Sequence, residues 1–341
     1  MIPMMRKRHI TAPSTSFDSV VKSTDLPTFA RQIELTPCRR HLIEDSRRHG
    51  VLGADVSGYC KKTPSDKYCQ MIIKLTLIFL IIFSLFSCIG NSDNSNNNIT
   101  TKAIPIIDFA YIKSYPHDTT SFTEGFLINN GKLYESTGAT RELPQTKSLF
   151  GIVDLTTGKI DTKVEIDRIK YFGEGIAFLN GKIYQLTYKT KIGFVYNATT
   201  FKKIKEFTFP SKEGWGLTTD GISLIMSDGT YELTYLNPIT FQTVKKISVT
   251  ENGYAKDYLN ELEYIKGYIF ANIWTTNTIV KIDPTDGKVV GKLDLSSLAY
   301  EAKNIYPGSL EMNGIAYDSI ANRIFVTGKL WPKIYELQID K

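Results

Sequence analysis

Five short segments of this 341-residue chain open on side chains able to do chemistry. Aligned on the apolar run that follows each, Glu124, Glu174, Trp215, Asn260 and Asn313 fall in one register. A ring built only for packing would repeat one residue type. This set holds two acids, an indole and two carboxamides, which is asymmetric chemistry on a repeating frame. Its four oxygen-bearing members are donors of the kind that could surround a calcium ion. The same groups beside an indole could instead bind a peptide or a glycan without transforming it. The far ends of the same segments supply a second set, Tyr188, Asp228, Trp274 and Lys329, and period-2 alternation decides which of them face inward.

Other chemistries are poorly supplied. The cysteines are Cys38, Cys60, Cys69 and Cys88, and none follows, so the later part of the chain has no disulfide, thiolate ligand or cysteine nucleophile. His117 is the single histidine beyond His49, so a zinc site or a Ser-His-Asp triad would have to be built around that one ring. We expect no metal and no cofactor. The net charge of +6 arises almost wholly before residue 102, so a basic surface for nucleic acid is not expected either.

The elements that must position these residues repeat. EGFLINNGKLYEST (Glu124–Thr137), EGIAFLNGKIYQLT (Glu174–Thr187), WGLTTDGISLIMSD (Trp215–Asp228), NELEYIKGYIFANIW (Asn260–Trp274) and NGIAYDSIANRIFVTGK (Asn313–Lys329) share one pattern of strand, Gly- or Asn-containing turn, and strand. Their starts recur at roughly the 40–50-residue period of propeller blades. Between the copies lie DLTTGKI, NATTFKKI, NPITFQTV and DPTDGKVV, each a turn between alternating runs. Each blade is then a four-stranded antiparallel meander. The fifth lacks the outer hairpin because the sequence stops at Lys341 just after KIYELQI, and PIIDFAYIKSY (Pro105–Tyr115) is free to complete it. The fold class expected is an all-β, five-bladed β-propeller over residues 104–341, closed by an N-terminal strand that leaves no open edge. A β-sandwich of similar strand content would not repeat in blocks. In a propeller the innermost strands line a central channel, so the first set forms a ring at one mouth.

The strings YPHDTTSFTEGF, YFGEGI, EGWGLTTDG, LNELEY, ANIW and NGIAYD…VTGKLWPK resemble, in order, the plant and bacterial type of glutaminyl-peptide cyclotransferase, over essentially all of residues 110–340. The resemblance implies a five-bladed propeller that converts the N-terminal glutamine of a peptide or protein to pyroglutamate with release of ammonia. It also implies that Glu174 is the catalytic acid and that Phe122, Glu124, Trp215, Asn260, Trp274 and Lys329 form the pocket, with Tyr188 on its wall; Asn313 joins the substrate-binding set through its place in the ring. Two positions depart from the family pattern: Glu124 stands where glutamine is common, and Tyr188 where tryptophan is common. On this reading Glu174 takes a proton from the α-amine and returns it to the departing nitrogen. An aromatic surround would raise its pKa and let it cycle between forms near neutrality. Asn260 or Lys329 could donate to the oxyanion, and Glu124 could hold the substrate ammonium. The rival classes are a non-catalytic peptide- or glycan-binding propeller and a calcium-dependent hydrolase of the lactonase kind; Trp215 in the ring counts against the latter. A monomer is expected.

Upstream, MIIKLTLIFLIIFSLFSC from Met71 reads as a signal peptide over 71–87, with one lysine, an apolar run and a lipobox-like end Leu85-Phe86-Ser87-Cys88. It is similar to the signals of bacterial lipoproteins whose cysteine is acylated after cleavage, and it is short for a membrane span. Residues 88–103 are then a lipidated Cys88 and a polar Asn/Ser tether. This would anchor the domain to a membrane, in the periplasm or outside the cell. Residues 1–70 show mixed charge and no sustained periodicity. A signal peptide belongs at an N-terminus, so Met71 is the expected start, and the preceding residues are read as a gene-model extension with no assigned structure.

Overall fold

A computed structural model describes residues 103–339. The signal peptide, Cys88 and residues 1–70 lie outside this range, as does most of the tether. Strand β1 (Phe109–Pro116) comes first. The first blade is β2 (Thr123–Asn129), β3 (Lys132–Thr137), β4 (Leu149–Val153) and β5 (Ile160–Glu165). The second is β6 (Gly173–Leu179), β7 (Lys182–Thr187), β8 (Ile192–Asn197) and β9 (Lys203–Thr208), and the third is β10 (Leu217–Thr219), β11 (Leu224–Met226), β12 (Glu232–Leu236) and β13 (Thr243–Ser248). A small hairpin, β14 (Thr250–Glu251) and β15 (Tyr254–Ala255), leads to the fourth blade, β16 (Leu259–Ile265), β17 (Tyr268–Ile273), β18 (Thr278–Ile282) and β19 (Val289–Asp294). Helix α1 (Ser296–Ile305) then precedes β20 (Met312–Asp318), β21 (Arg323–Gly328) and β22 (Lys333–Ile339).

Five four-stranded sheets result, and the fifth has the order β1-β22-β21-β20. The N-terminal strand thus supplies the outer strand that the fifth repeat lacks, running antiparallel to β22 from Phe109↔Ile339 to Pro116↔Lys333. Helix α1 was not anticipated from the sequence. It buries Leu298 and Ala302, one helical turn apart, in the cluster that also holds Trp331 and Tyr335.

The turns explain why the copies looked alike. Asn130-Gly131 and Asn180-Gly181 both lie at positive φ, the backbone that two-residue hairpins need and that Asn-Gly adopts readily. Each turn between copies starts on an acceptor side chain: Asp154, Asn197, Asn237 and Asp283 take the backbone N–H two residues on, at 2.9 Å in every case.

Around the axis the inner strands nearly touch. Gly125, Gly175, Gly216 and Gly314 follow the ring residues of four blades, and a Cβ on Gly125 would come within 2.9 Å of the Ile176 nitrogen. The fourth blade has Glu261 at this position. Its buried carboxylate accepts from Phe126 N at 3.1 Å and from Ile315 N at 2.8 Å, and so ties that blade to the first and fifth across the axis. Four glycines leave the space that one long side chain fills.

Candidate active site

The starts of the inner strands open on one mouth of the channel, and there a cavity of about 320 Å³ is lined by Phe122, Glu124, Thr140, Phe172, Glu174, Tyr188, Trp215, Asn260, Trp274, Glu311 and Lys329. The ends of the same strands line a separate, smaller concavity around Thr218, Glu263 and Tyr317 at the opposite mouth. Eight of the nine residues expected at the site line the larger cavity. The ninth, Asn313, is fully buried behind Glu124, where its Nδ2 donates to Glu124 Oε2 and to the Thr123 carbonyl, each at 3.0 Å. Asp228 caps a local turn with Thr230 instead, and Trp331 is a core residue whose indole N–H donates to the Leu310 carbonyl.

The walls are aromatic and contiguous. Phe122 meets Phe172 edge-on with centroids 5.8 Å apart, Phe172 meets Tyr188 at 5.9 Å, Tyr188 meets Trp215 at 6.4 Å, and Trp215 meets Trp274 edge-on at 5.6 Å. Such contacts hold rings in fixed orientations. Phe172 was not singled out from the sequence, although a signal existed. Gly138, which follows β3 where Tyr188 follows β7, is bare because the Phe172 ring occupies the place a Cβ would take.

The two ring acids have different surroundings. Glu124 pairs with Lys329 at 2.8 Å, and that ammonium also lies 4.7 Å from the centre of the Phe122 ring. Burial pushes the Glu124 carboxyl up to about 7, against the pull of Lys329 and of the Asn313 hydrogen bond. Burial also works against the Lys329 ammonium, but Glu124, Glu174 and Glu311 outweigh it and its pKa is raised. Glu174 is 4% exposed, and its carboxyl makes no hydrogen bond or ion pair among the described residues. Burial first, and the Glu124 charge second, raise it well above the usual carboxylate range, with Lys329 opposing. The position a cation would take beside Glu124 is held by Lys329, which removes the basis of the calcium reading.

Two further features complete the mouth. The buried Asn260 Oδ1 is an acceptor with no partner among the described residues. At the rim Glu213 accepts from the Trp215 indole N–H at 3.0 Å and lies 3.6 Å from Lys189. Glu213 and Glu311 escaped sequence reasoning because both stand just outside the repeated segments.

Fold and site together define a five-bladed propeller with a buried carboxyl, unpartnered among the described residues, in an aromatic cavity at the axis. A family model described as glutamine cyclotransferase matches residues 81–339. A glutaminyl-peptide cyclotransferase of Arabidopsis thaliana is 38% identical over 279 residues, covering 81% of this chain and 85% of the relative. The crystal structure of Myxococcus xanthus glutaminyl cyclase matches with a TM-score of 0.62 at 32% identity, covering 69% of this chain and 98% of that one. The chain belongs to the glutamine cyclotransferase family.

Proposed function

We propose that the cavity cyclises N-terminal glutamine of peptides and proteins to pyroglutamate, with Glu174 moving the proton. The observation that carries this reading is the Glu174 carboxyl, which is buried, raised in pKa and without a partner among the described residues, on the wall of an aromatic cavity. The α-amine nitrogen attacks the side-chain amide carbon, the new C–N bond closes the ring, and the old C–N bond breaks to release ammonia. One proton must leave the attacking nitrogen and one must reach the departing nitrogen. A single carboxylate that takes the first and returns it does both.

The substrate is folded for attack by the aromatic walls, which limit a flexible side chain to near-attack geometries. Asn260 Oδ1 is the acceptor for a substrate N–H, since no donor reaches it among the described residues. Lys329 spends one N–H on Glu124 and has two left, one of which serves the developing oxyanion. Glu124 is already held by Lys329 and Asn313, so its part is to fix the lysine rather than to receive the substrate ammonium.

A peptide beginning with glutamine, incubated with the purified protein, should release ammonia and yield a product with a blocked N-terminus. The N-acetylated peptide should be inert, because its nitrogen cannot attack. Ammonia release from the acetylated peptide would indicate a simple amide hydrolase.

We further propose that residues 71–87 export the chain and that Cys88 carries the lipid anchor, a reading supported by the apolar run and the Leu85-Phe86-Ser87-Cys88 end. Expressed in a bacterium supplied with labelled palmitate, the protein should take up label and fractionate with membranes, and Cys88→Ala should abolish both. Label retained by that variant would contradict the assignment.

A further inference from the structure

Four carboxyl groups surround the cavity, and three are accounted for. Glu124 is bound by Lys329 and Asn313. Glu213 is bound by the Trp215 indole and Lys189. Glu174 serves the two substrate nitrogens in the reading above. The fourth is Glu311, which lines the cavity, is only partly buried, and has no hydrogen bond or ion pair at its carboxylate among the described residues. Its backbone is fixed, because Lys329 N donates to the Glu311 carbonyl at 2.9 Å and Leu310 N donates to the Lys329 carbonyl at 2.8 Å.

The order of the blades indicates which side of the cavity it occupies. Glu311 stands just before β20 of the fifth blade and Glu174 in β6 of the second, and β2 of the first blade, which carries Glu124, packs against both β6 and β20. The blade of Glu124 therefore separates that of Glu174 from that of Glu311. With the glutamine's nitrogens at Glu174, the next residue of the substrate leads away from it, and a carboxylate with no partner among the described residues on a non-adjacent blade suits a cation there. Ion pairing at a half-exposed site is worth little in absolute terms, but it discriminates between substrates of opposite charge.

We propose that Glu311 forms a subsite for a basic side chain on the residue that follows the substrate glutamine. The subsite rests on the cyclotransferase reading, and the experiment separates the two. Three peptides beginning Gln-Lys, Gln-Ala and Gln-Glu would be compared by kcat/KM for ammonia release, using the full chain. The expected order is Gln-Lys over Gln-Ala over Gln-Glu, with about two- to fivefold at each step. High salt should compress the spread, since the pair is reached by solvent. In Glu311→Gln the ratio of Gln-Lys to Gln-Glu should collapse towards one, and in Glu311→Lys it should invert. These are ratios within one preparation, so a loss of folded protein cancels. Equal rates for the three peptides in the wild type, or an unchanged ratio in Glu311→Gln, would overturn the subsite and leave cyclisation standing. Failure of the wild type to cyclise any of the three would overturn both.

Discussion

Two glutamates at the same position of successive repeats have opposite fates. Glu124 is enclosed by Lys329 and Asn313, while Glu174 faces the cavity with no partner among the described residues. Removing Lys329 should therefore be costly, because it strands a buried carboxyl. Lys329→Met is expected to lower stability by about 3–5 kcal/mol. Adding Glu124→Gln should restore most of that loss, as urea unfolding of the single and double variants would report. Activity should also fall at a higher pH than an ordinary carboxylate would dictate. A base works only when deprotonated, and Glu174 is raised, so kcat is expected to drop as pH falls through that raised value rather than near pH 4.5. A pH–rate profile checks this. The ring positions were legible in the sequence because the repeat brings them into register. The partners were not, since Lys329 reaches Glu124 from the last blade to the first, and no local pattern encodes a contact across the ring.

At the scale of the strand, the inner strands approach too closely for side chains at Gly125, Gly175 and Gly216, while Gly314 is set by a φ of 120°. A Cβ on Gly175 would press on the Leu217 nitrogen, and it would meet the Trp215 carbonyl at 2.7 Å and the Gly216 carbonyl carbon at 2.8 Å. These are backbone atoms of the neighbouring blade and cannot swing aside. Gly175→Ala is therefore expected to cost about 1–3 kcal/mol. It should also reduce kcat, because the displaced segment carries Trp215; thermal melts and steady-state rates together test this. Asn-Gly turns and the Asp or Asn that opens each outer turn are local chemistry, so hairpins and repeat were readable directly. Glu261 could be seen to break the glycine pattern, but its task could not, because Phe126 and Ile315 belong to other blades. Helix α1 was missed for a similar reason. Only two of its residues, Leu298 and Ala302, are buried, with Ala299 packing beside them, and so short an apolar stripe is a weak periodic signal.

For the whole molecule the vulnerable point is where the ring closes. His117, which follows β1, is buried with Nδ1 2.8 Å from the Trp331 carbonyl and Nε2 3.1 Å from both oxygens of Glu135. Both ring nitrogens face acceptors, an arrangement that favours the doubly protonated imidazole. Burial opposes that charge, but Glu135 outweighs it and the pKa is raised above 6.5. The resulting stability is complete below the unfolded value near 6.5 and is lost as pH rises through the higher folded value. Tm should thus decline as pH rises from 6.5 through that raised value, whereas His117→Gln should melt lower throughout and show a flatter profile there. That an N-terminal strand closes the ring was readable from the missing outer hairpin of the fifth repeat. The histidine latch was not, because it joins β1 to blades one and five at once.

The central claim is that Glu174 carries the proton in glutamine cyclisation. The most direct measurement is ammonia release from a Gln-initiated peptide by wild type and Glu174→Gln at equal folded concentration. We expect the variant to keep its fold and lose about 10²–10⁴ in kcat. A variant that cyclises at the wild-type rate would contradict the account.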